Sequence, residues 1–197
     1  RMQEFDLFQF VSPEIFKEPQ DLEVLERLDS IFLSEERIIV TGKPKVWYVY
    51  LLGLFYSLDE VAFLKAAKRL NLPNRIKNSL CEDRTQCRES LGKLTSKKKC
   101  EPVEVYHAFA NLSVEGVVFL MALSSTDSIN KYANIYFTQY QGRVKPSLTG
   151  NDLAKMGVEP GPIFKFILNA LLEARIEGSV KSREEEIALV EERFLKF

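Results

Sequence analysis

Apolar residues recur every three or four positions through most of this chain. That spacing places apolar side chains on one face of an α-helix. The clearest example follows the turn Pro160-Gly161-Pro162, where the pattern predicts a helix that runs to Gly178. We expect the buried face of this helix to hold Ile163, Phe166, Ile167, Ala170, Leu171 and Ala174.

Proline, glycine and a hydroxyl side chain mark the ends of this helix and of a shorter helix before it. Pro162 suits a first helical position, where its missing N–H is not needed. Thr149 is placed to cap a short helix over 152–156, and Gly157 is placed to end that helix, because glycine adopts the left-handed conformation of helix ends. The stretch 148–178 is therefore predicted to be a helix–turn–helix.

The start of the second of these helices has two possible interpretations. Its free N–H groups and the positive end of its dipole would suit a phosphate, with Lys155 and Lys165 on either side. A tight connection between two helices explains the same residues, and such connections are common.

The other periodic segments predict further helices with short connections between them. Asp21 is placed to cap the first, and Ser57 with Glu60 forms a capping box near the start of the third. The isolated run Ile38-Ile39-Val40 is β-branched, but we interpret it as a connector or a short helix extension. No alternating strand pattern is present, so the predicted fold is all-α. The predicted helices are 22–33, 45–57, 58–70, 74–95, 102–111, 113–123, 126–141 and 182–194.

Composition is that of an ordinary soluble protein. The 197 residues suffice for one large domain or two small ones, and a net charge of −1 means that any anion-binding surface must be local. No apolar run reaches the ~18 residues of a membrane span. The apolar stretch 46–57 is interpreted as a buried core helix, and the first residues do not resemble a signal peptide.

Motifs of catalysis and metal binding are not found in the sequence. There is no phosphate-binding glycine loop and no nucleophile elbow, and Cys81, Cys87 and Cys100 form no CxxC pair, so we predict no metal site and reduced cytoplasmic thiols. His107 is the single imidazole, and no partner for it is evident, so a structural role is favoured over that of a general base. A free-standing enzyme that uses His107 stays a weaker hypothesis.

Basic residues interleaved with aromatics form three groups along the chain. A solvated helix face explains any single lysine, but phosphate contacts need cations spread along a surface, and a helical protein with such groups suggests shape recognition of folded RNA. The groups are Lys43, Lys45, Trp47 and Tyr48; then Arg75, Lys77, Arg84, Arg88, Lys93 and Lys97–Lys99; then Arg143, Lys145, Lys155, Lys165, Lys181 and Arg183.

One motif of about thirty residues is specific enough to suggest a family. It comprises Leu148, Thr149, Gly150, Asp152, Leu153, Gly157, Pro160, Gly161 and Pro162, followed by Leu171-Leu172-Glu173-Ala174-Arg175, Gly178 and the charged run Arg183-Glu184-Glu185-Glu186. This pattern resembles the tail of the bacterial class II tRNA nucleotidyltransferase and poly(A) polymerase family, the CCA-adding and A-adding enzymes. The segment 45–70 is weakly similar to the body domain of the same family.

The resemblance implies an all-helical body-like domain over 1–123 and a tail-like domain over 124–197. These domains would hold tRNA by the backbone of its acceptor and T-arm. An amino-terminal catalytic head of the same polypeptide would add A, or CCA, using Mg²⁺ with ATP or CTP. No cofactor and no catalytic residue are expected in this part. The predicted RNA-binding positions are Lys97, Lys98, Lys99, Arg143, Lys145, Thr149, Gly150, Lys155, Gly161 and Lys165.

An alternative is a helical protein–protein interaction domain that does not bind RNA. The amino-terminal phenylalanines Phe5, Phe8 and Phe10 would then dock a partner chain or another domain. On either interpretation we expect a cytoplasmic protein without a membrane partner.

Overall fold

The computed structural model describes residues 8–15, 19–33, 43–124 and 126–195, which form helices and connections without any strand. The all-α prediction is confirmed. Phe5 and the run Ile38-Ile39-Val40 lie outside the described residues. The helices are α1 (Phe8–Val11), α2 (Pro19–Leu33), α3 (Val46–Phe55), α4 (Glu60–Arg69), α5 (Asn74–Thr95), α6 (Pro102–Ala110), α7 (Val114–Leu123), α8 (Asp127–Ile135), α9 (Gly150–Lys155), α10 (Pro162–Glu177) and α11 (Arg183–Val190).

The apolar faces of the helices meet in three clusters. The first cluster surrounds α3, whose Leu52 and Phe55 are fully buried with Phe63 of α4 and Phe119 of α7. The prediction of a buried core helix near residue 50 is therefore confirmed.

The second cluster joins α5, α6, α7 and α8 to the end of α10. It contains Phe109, Leu120 and Phe137, together with Ile176 of α10. Residues on both sides of position 124 thus share one core. The division into a body over 1–123 and a tail over 124–197 stays a prediction.

The third cluster packs α9, α10 and α11 together around Leu153, Leu171 and Val190, all fully buried. It shows where the predicted buried face of α10 is wrong in part. Ile163 and Phe166 are 41% and 62% exposed. Phe164 and Leu168 pack against the cluster instead, because α9 and α11 cover the side of α10 on which those two residues lie.

The start of α4 also differs from the prediction. Its N-cap is Asp59, whose Oδ1 accepts a hydrogen bond from the backbone N–H of Ala62 at 2.7 Å. The predicted box of Ser57 and Glu60 is therefore wrong, because the helix begins two residues later, at Glu60, and the Asp59 carboxylate supplies the cap.

Two helices end in a wider π-helical turn. The predicted helix 126–141 is α8 followed by the π-helical residues Tyr136–Tyr140, and α11 continues in the same way through Glu191–Leu195. Tyr136, Phe137 and Tyr140 are buried in the second cluster.

No single helix among the described residues is long and apolar enough to cross a bilayer. The consecutive helices α6 and α7 reach that length and composition only together, and they are bent by 117°.

Candidate nucleic-acid interface

A buried carboxylate fixes the loop that leads into α9. Glu186 of α11 is fully buried and accepts hydrogen bonds from the backbone N–H groups of Ser147, at 2.9 Å to each oxygen, and Leu148, at 2.8 Å. Arg175 of α10 pairs with the same carboxylate and donates to Ser147 Oγ at 2.7 Å. Three segments far apart in sequence therefore meet at Glu186. Sequence reasoning missed this role, since in the sequence Glu186 stands out only as part of the charged run that follows Gly178.

The first turn of α9 is closed by a second carboxylate. Asp152 Oδ2 accepts hydrogen bonds from Thr149 N at 2.8 Å and Thr149 Oγ1 at 2.7 Å. Its Oδ1 accepts from Arg183 Nη2 at 2.7 Å. These bonds, from Thr149 first and then Arg183, hold the pKa of Asp152 well below its usual range. The prediction that Thr149 caps this helix is confirmed, although the helix begins at Gly150.

Arg183 is consequently bonded to the protein itself, although its side chain is 45% exposed. Its Nη1 donates to the carbonyl of Ser147 at 2.9 Å while Nη2 binds Asp152. We therefore interpret Arg183 as a residue that fixes this corner, although the sequence groups it with cations that would face RNA.

The turn at Pro160-Gly161-Pro162 brings the starts of α9 and α10 together. A Cβ on Gly150 would lie 3.1 Å from the ring of Phe164, and Phe164 N donates to the Gly161 carbonyl at 3.0 Å. Pro162 is the first residue of α10, and the N-cap position is Gly161, which has no side chain to cap the helix. The predicted positions Gly150, Gly161 and Lys165 are thus grouped around the open start of a sixteen-residue helix.

Most of the predicted RNA-binding cations are exposed and available. Apart from Lys97, none of them forms an ion pair with another residue in the described part of the chain. The exposed cations without an ion pair are Lys98, Lys99, Arg143, Lys145, Lys155 and Lys165. Lys97 pairs with Glu104, and this hydrogen bond raises the pKa of Lys97 and lowers the pKa of Glu104.

These cations lie in two places. Lys97, Lys98 and Lys99 form the connection between α5 and α6, whereas the other four precede α9, end it or lie in the first turn of α10.

Two arginines of the second basic group stabilise the fold. Arg84 is buried, donates to the carbonyl of Leu58, and lies over the ring of Phe63 with 4.4 Å to its centroid. Burial lowers the pKa of Arg84 to about 10. Arg88 donates to the Tyr56 carbonyl and lies over the Tyr56 ring at 5.1 Å. Both guanidinium groups are therefore engaged with the protein itself.

His107 has an acidic partner that the sequence did not indicate. Its Nε2 lies 2.8 Å from Glu173 Oε1, so the pair links α6 to α10 while both side chains stay about half exposed. His107 also lines a cavity of about 270 Å³ together with Lys93 and Ser96. The sequence shows no evident partner because Glu173 is 66 residues away from His107 along the chain.

The three cysteines are free thiols. Cys87 and Cys100 are buried free thiols, burial raises the pKa of each, and Cys81 is an exposed free thiol. Within the described ranges, no group of three or more His, Cys, Asp or Glu side chains is arranged to hold a metal ion.

Sequence comparison finds relatives among tRNA nucleotidyltransferases. The chain is 28% identical over 193 residues to the A-adding tRNA nucleotidyltransferase of Geobacter sulfurreducens, which is 96% of this chain and 22% of that protein. It is 30% identical over 73 residues to the A-adding tRNA nucleotidyltransferase of Halalkalibacterium halodurans, 37% of this chain and 17% of that protein. No family model matches the chain.

The fold is that of the corresponding part of CCA-adding enzymes. The Thermotoga maritima CCA-adding enzyme in complex with tRNA superposes with a TM-score of 0.76 at 19% identity, over 96% of this chain and 45% of that one. A CCA-adding enzyme in complex with ATP gives 0.75 at 21% identity, over 100% of this chain and 46% of that one. The chain thus spans less than half the length of these relatives, and it covers their C-terminal portion.

Proposed function

Because the chain is similar to the C-terminal part of tRNA nucleotidyltransferases, as its tail motif indicates, we propose that it forms the tRNA-holding body and tail of such an enzyme. The proposed role is to grip the RNA backbone, while an amino-terminal head adds A or CCA to the tRNA 3′ end. The observation that supports this most is the sequence similarity over 96% of the chain to an A-adding enzyme.

The arrangement of cations fits a backbone grip. Lys98 and Lys99 extend from one connection, and Arg143, Lys145, Lys155 and Lys165 surround α9 and the start of α10. Phosphate contacts supply most of the affinity for nucleic acid, and they require accessible charge at fixed positions more than a base-reading motif. Recognition of folded RNA depends mainly on such shape and backbone contacts.

The network at Glu186 and Asp152 would hold the tail cations in a fixed arrangement. Lys145 lies two residues before Ser147, which is bonded to Glu186, Arg175 and Arg183. Lys155 ends the helix whose first turn is closed by Asp152. Side chains on such rigid elements lose less freedom on binding, which favours affinity.

The chemistry of the proposed enzyme would lie outside this chain. Mg²⁺ and ATP or CTP would act in the catalytic head, in the cytoplasm, and the body and tail would contribute binding and orientation of the tRNA.

Fluorescence anisotropy with labelled tRNA tests the proposal. We expect the double variants Lys98→Gln/Lys99→Gln and Lys155→Gln/Lys165→Gln each to weaken tRNA binding by about tenfold, since each removes two phosphate partners. The matched control is Lys65→Gln/Lys68→Gln, which neutralises two exposed lysines of α4 outside the predicted set and should change affinity less than about twofold. Equal losses of tRNA affinity in all three double variants would contradict binding at the predicted positions.

A second candidate function rests on exposed aromatics. Phe10 is 75% exposed and Phe166 is 62% exposed, whereas Phe8 packs partly against the first cluster. Exposed apolar patches mark protein interaction sites when they are contiguous. Analytical ultracentrifugation at increasing concentration tests self-association, and a monomer at all concentrations whose Phe166→Ser variant behaves identically would count against it.

A further inference from the structure

A cleft of about 480 Å³ lies where α3, α5 and α7 begin. We call it the Trp47 cleft; its principal lining residues are Lys45, Trp47, Arg75, Ser79, Asp83 and Glu115. Its volume is within the range of small-molecule sites, which is roughly 300–1,000 Å³. None of the ten predicted RNA-binding positions lines it, although Lys45, Trp47 and Arg75 belong to the basic groups of the sequence.

The acidic groups of the cleft are already bound to donors of the protein. Asp83 is buried and accepts hydrogen bonds from Tyr48 Oη at 2.8 Å and from Ser113 Oγ at 2.9 Å to each oxygen. Glu115 Oε1 accepts from the backbone N–H of Lys45 at 3.1 Å. Burial and the hydrogen bond to Asp83 raise the pKa of Tyr48, so that hydroxyl stays a donor. The carboxylates of Asp83 and Glu115 are therefore structural groups of the cleft wall.

The cationic and aromatic groups, in contrast, are available to a ligand. Lys45 and Arg75 are exposed and form no ion pair within the described ranges. Trp47 is 53% exposed, and its one described ring contact is edge-to-face with Tyr48 at 5.7 Å, so an indole face is open to stacking. An open indole beside two cations suits a flat aromatic ring joined to an anion.

The starts of three helices contribute positive partial charge at the cleft. Lys45, Pro73 and Ser113 line it, and they are the N-cap residues of α3, α5 and α7. The N-cap residues Lys45 and Pro73 make no capping hydrogen bond with their own side chains. Positive ends of helix dipoles favour a bound anion, which reinforces the effect of Lys45 and Arg75.

From these features we propose that the Trp47 cleft binds a nucleoside phosphate, with the base stacked on Trp47 and the phosphate bound by Arg75 and Lys45. The ligand is a free mononucleotide or an unpaired residue of RNA, which share this chemistry. The site is separate from the tail cations, so it does not depend on the proposed grip on tRNA.

Trp47 is the single tryptophan of the chain, so its fluorescence reports directly on the cleft. We titrate the protein with AMP, adenosine, inorganic phosphate and a short single-stranded oligo(A) RNA. Stacking should quench the fluorescence saturably, with AMP bound more tightly than adenosine and little effect of phosphate alone. Quenching by AMP identifies a free nucleotide as sufficient, whereas quenching by oligo(A) alone identifies an RNA residue.

Two arginine variants keep the reporter and separate this site from the tail. Arg75→Gln should weaken binding of the ligand that quenches Trp47 by about tenfold, because a charge-assisted contact to phosphate is lost. Arg193→Gln removes an exposed arginine that lies outside both the cleft and the predicted RNA-binding set, and it should change that affinity less than about twofold.

The proposal is overturned if neither AMP nor oligo(A) quenches Trp47, or if Arg75→Gln binds as tightly as the unchanged protein. Circular dichroism of each variant verifies that the helices are intact. Failure of the tRNA grip would instead appear as lost tRNA binding with the mononucleotide titration unchanged, so the two failures are distinguishable.

Discussion

Two carboxylates, Glu186 and Asp152, hold the loop before α9 in different surroundings. Glu186 is fully buried and bonded to two backbone N–H groups and Arg175, while Asp152 is near the surface and bonded to Thr149 and Arg183. The buried carboxylate of Glu186 stabilises the loop through these bonds, and the lowered pKa of Asp152 makes the stability of the fold depend on pH in acid.

Glu186→Gln should destabilise the protein by about 2–3 kcal/mol. The amide keeps the shape of the side chain but presents one donor to the N–H groups of Ser147 and Leu148 and leaves Arg175 without its charge partner. Urea unfolding measures the change. Glu177→Gln, at an exposed glutamate of α10, serves as the control and should stay within about 0.5 kcal/mol. A Glu186→Gln change as small as the control would show that the network contributes little.

Asp152→Asn should make the stability of the protein depend less on pH in the acid range. The pKa of Asp152 is held low in the folded protein, so its stabilisation is present above the unfolded value of about 3.9 and is lost as pH falls through the lower folded value. The variant should therefore melt lower than the unchanged protein at pH 7, and the difference should shrink below about pH 4. Melting temperatures measured from pH 7 to pH 2 provide the comparison, and parallel curves would contradict it.

At the scale of the helices, a glycine at a helix end and a glycine in a helix interior have opposite effects on stability. Gly178 ends α10 with φ of +77°, and its N–H donates to the Arg175 carbonyl at 3.1 Å. Gly92 lies inside α5, and a Cβ at either glycine would meet no atom within 4 Å. The two positions therefore differ in backbone conformation and not in available space.

We expect Gly178→Ala to cost about 1 kcal/mol, because alanine is strained in the left-handed conformation. Gly92→Ala should instead stabilise by roughly 0.5–1 kcal/mol, since alanine is the better helix residue. Thermal unfolding of both variants tests the pair. The same sign of change in both would contradict the assigned helix end.

Helix boundaries could be predicted where a proline, a glycine or a polar run stands at the end of the helix. The bounds of α5 agree with the prediction because Pro73 and the polar run after Thr95 delimit it, and Pro162 and Gly178 do the same for α10. The α4 cap was predicted wrongly because Ser57 and Asp59 both precede the helix and both are preferred N-cap residue types.

The candidate site could be predicted only in part, because its contacts join distant residues. The Thr149 cap is local and was predicted, whereas the pairs Arg175–Glu186 and His107–Glu173 cross from one helix to another. Arg84 belongs to a basic run in sequence, yet its guanidinium is used within the core. The spacing of cations along a helix does not indicate which of them form contacts within the protein.

On the scale of the whole molecule, the described chain combines three apolar clusters with the predicted RNA-binding cations at two places. The second cluster ties the end of α10 to α6 and α7, and the His107–Glu173 pair adds a polar link between α6 and α10. This connection would keep Lys98 and Lys99 at a fixed distance from the cations around α9, as a grip on a rigid RNA requires.

The salt dependence of tRNA binding tests the central claim most directly. Six exposed cations are assigned to phosphates: Lys98, Lys99, Arg143, Lys145, Lys155 and Lys165. A plot of the logarithm of the binding constant against the logarithm of salt concentration should be linear with a slope of roughly −4, and Lys98→Gln/Lys99→Gln should make it shallower by about 1.5. No tRNA binding at low salt, or a slope near zero, would contradict the claim.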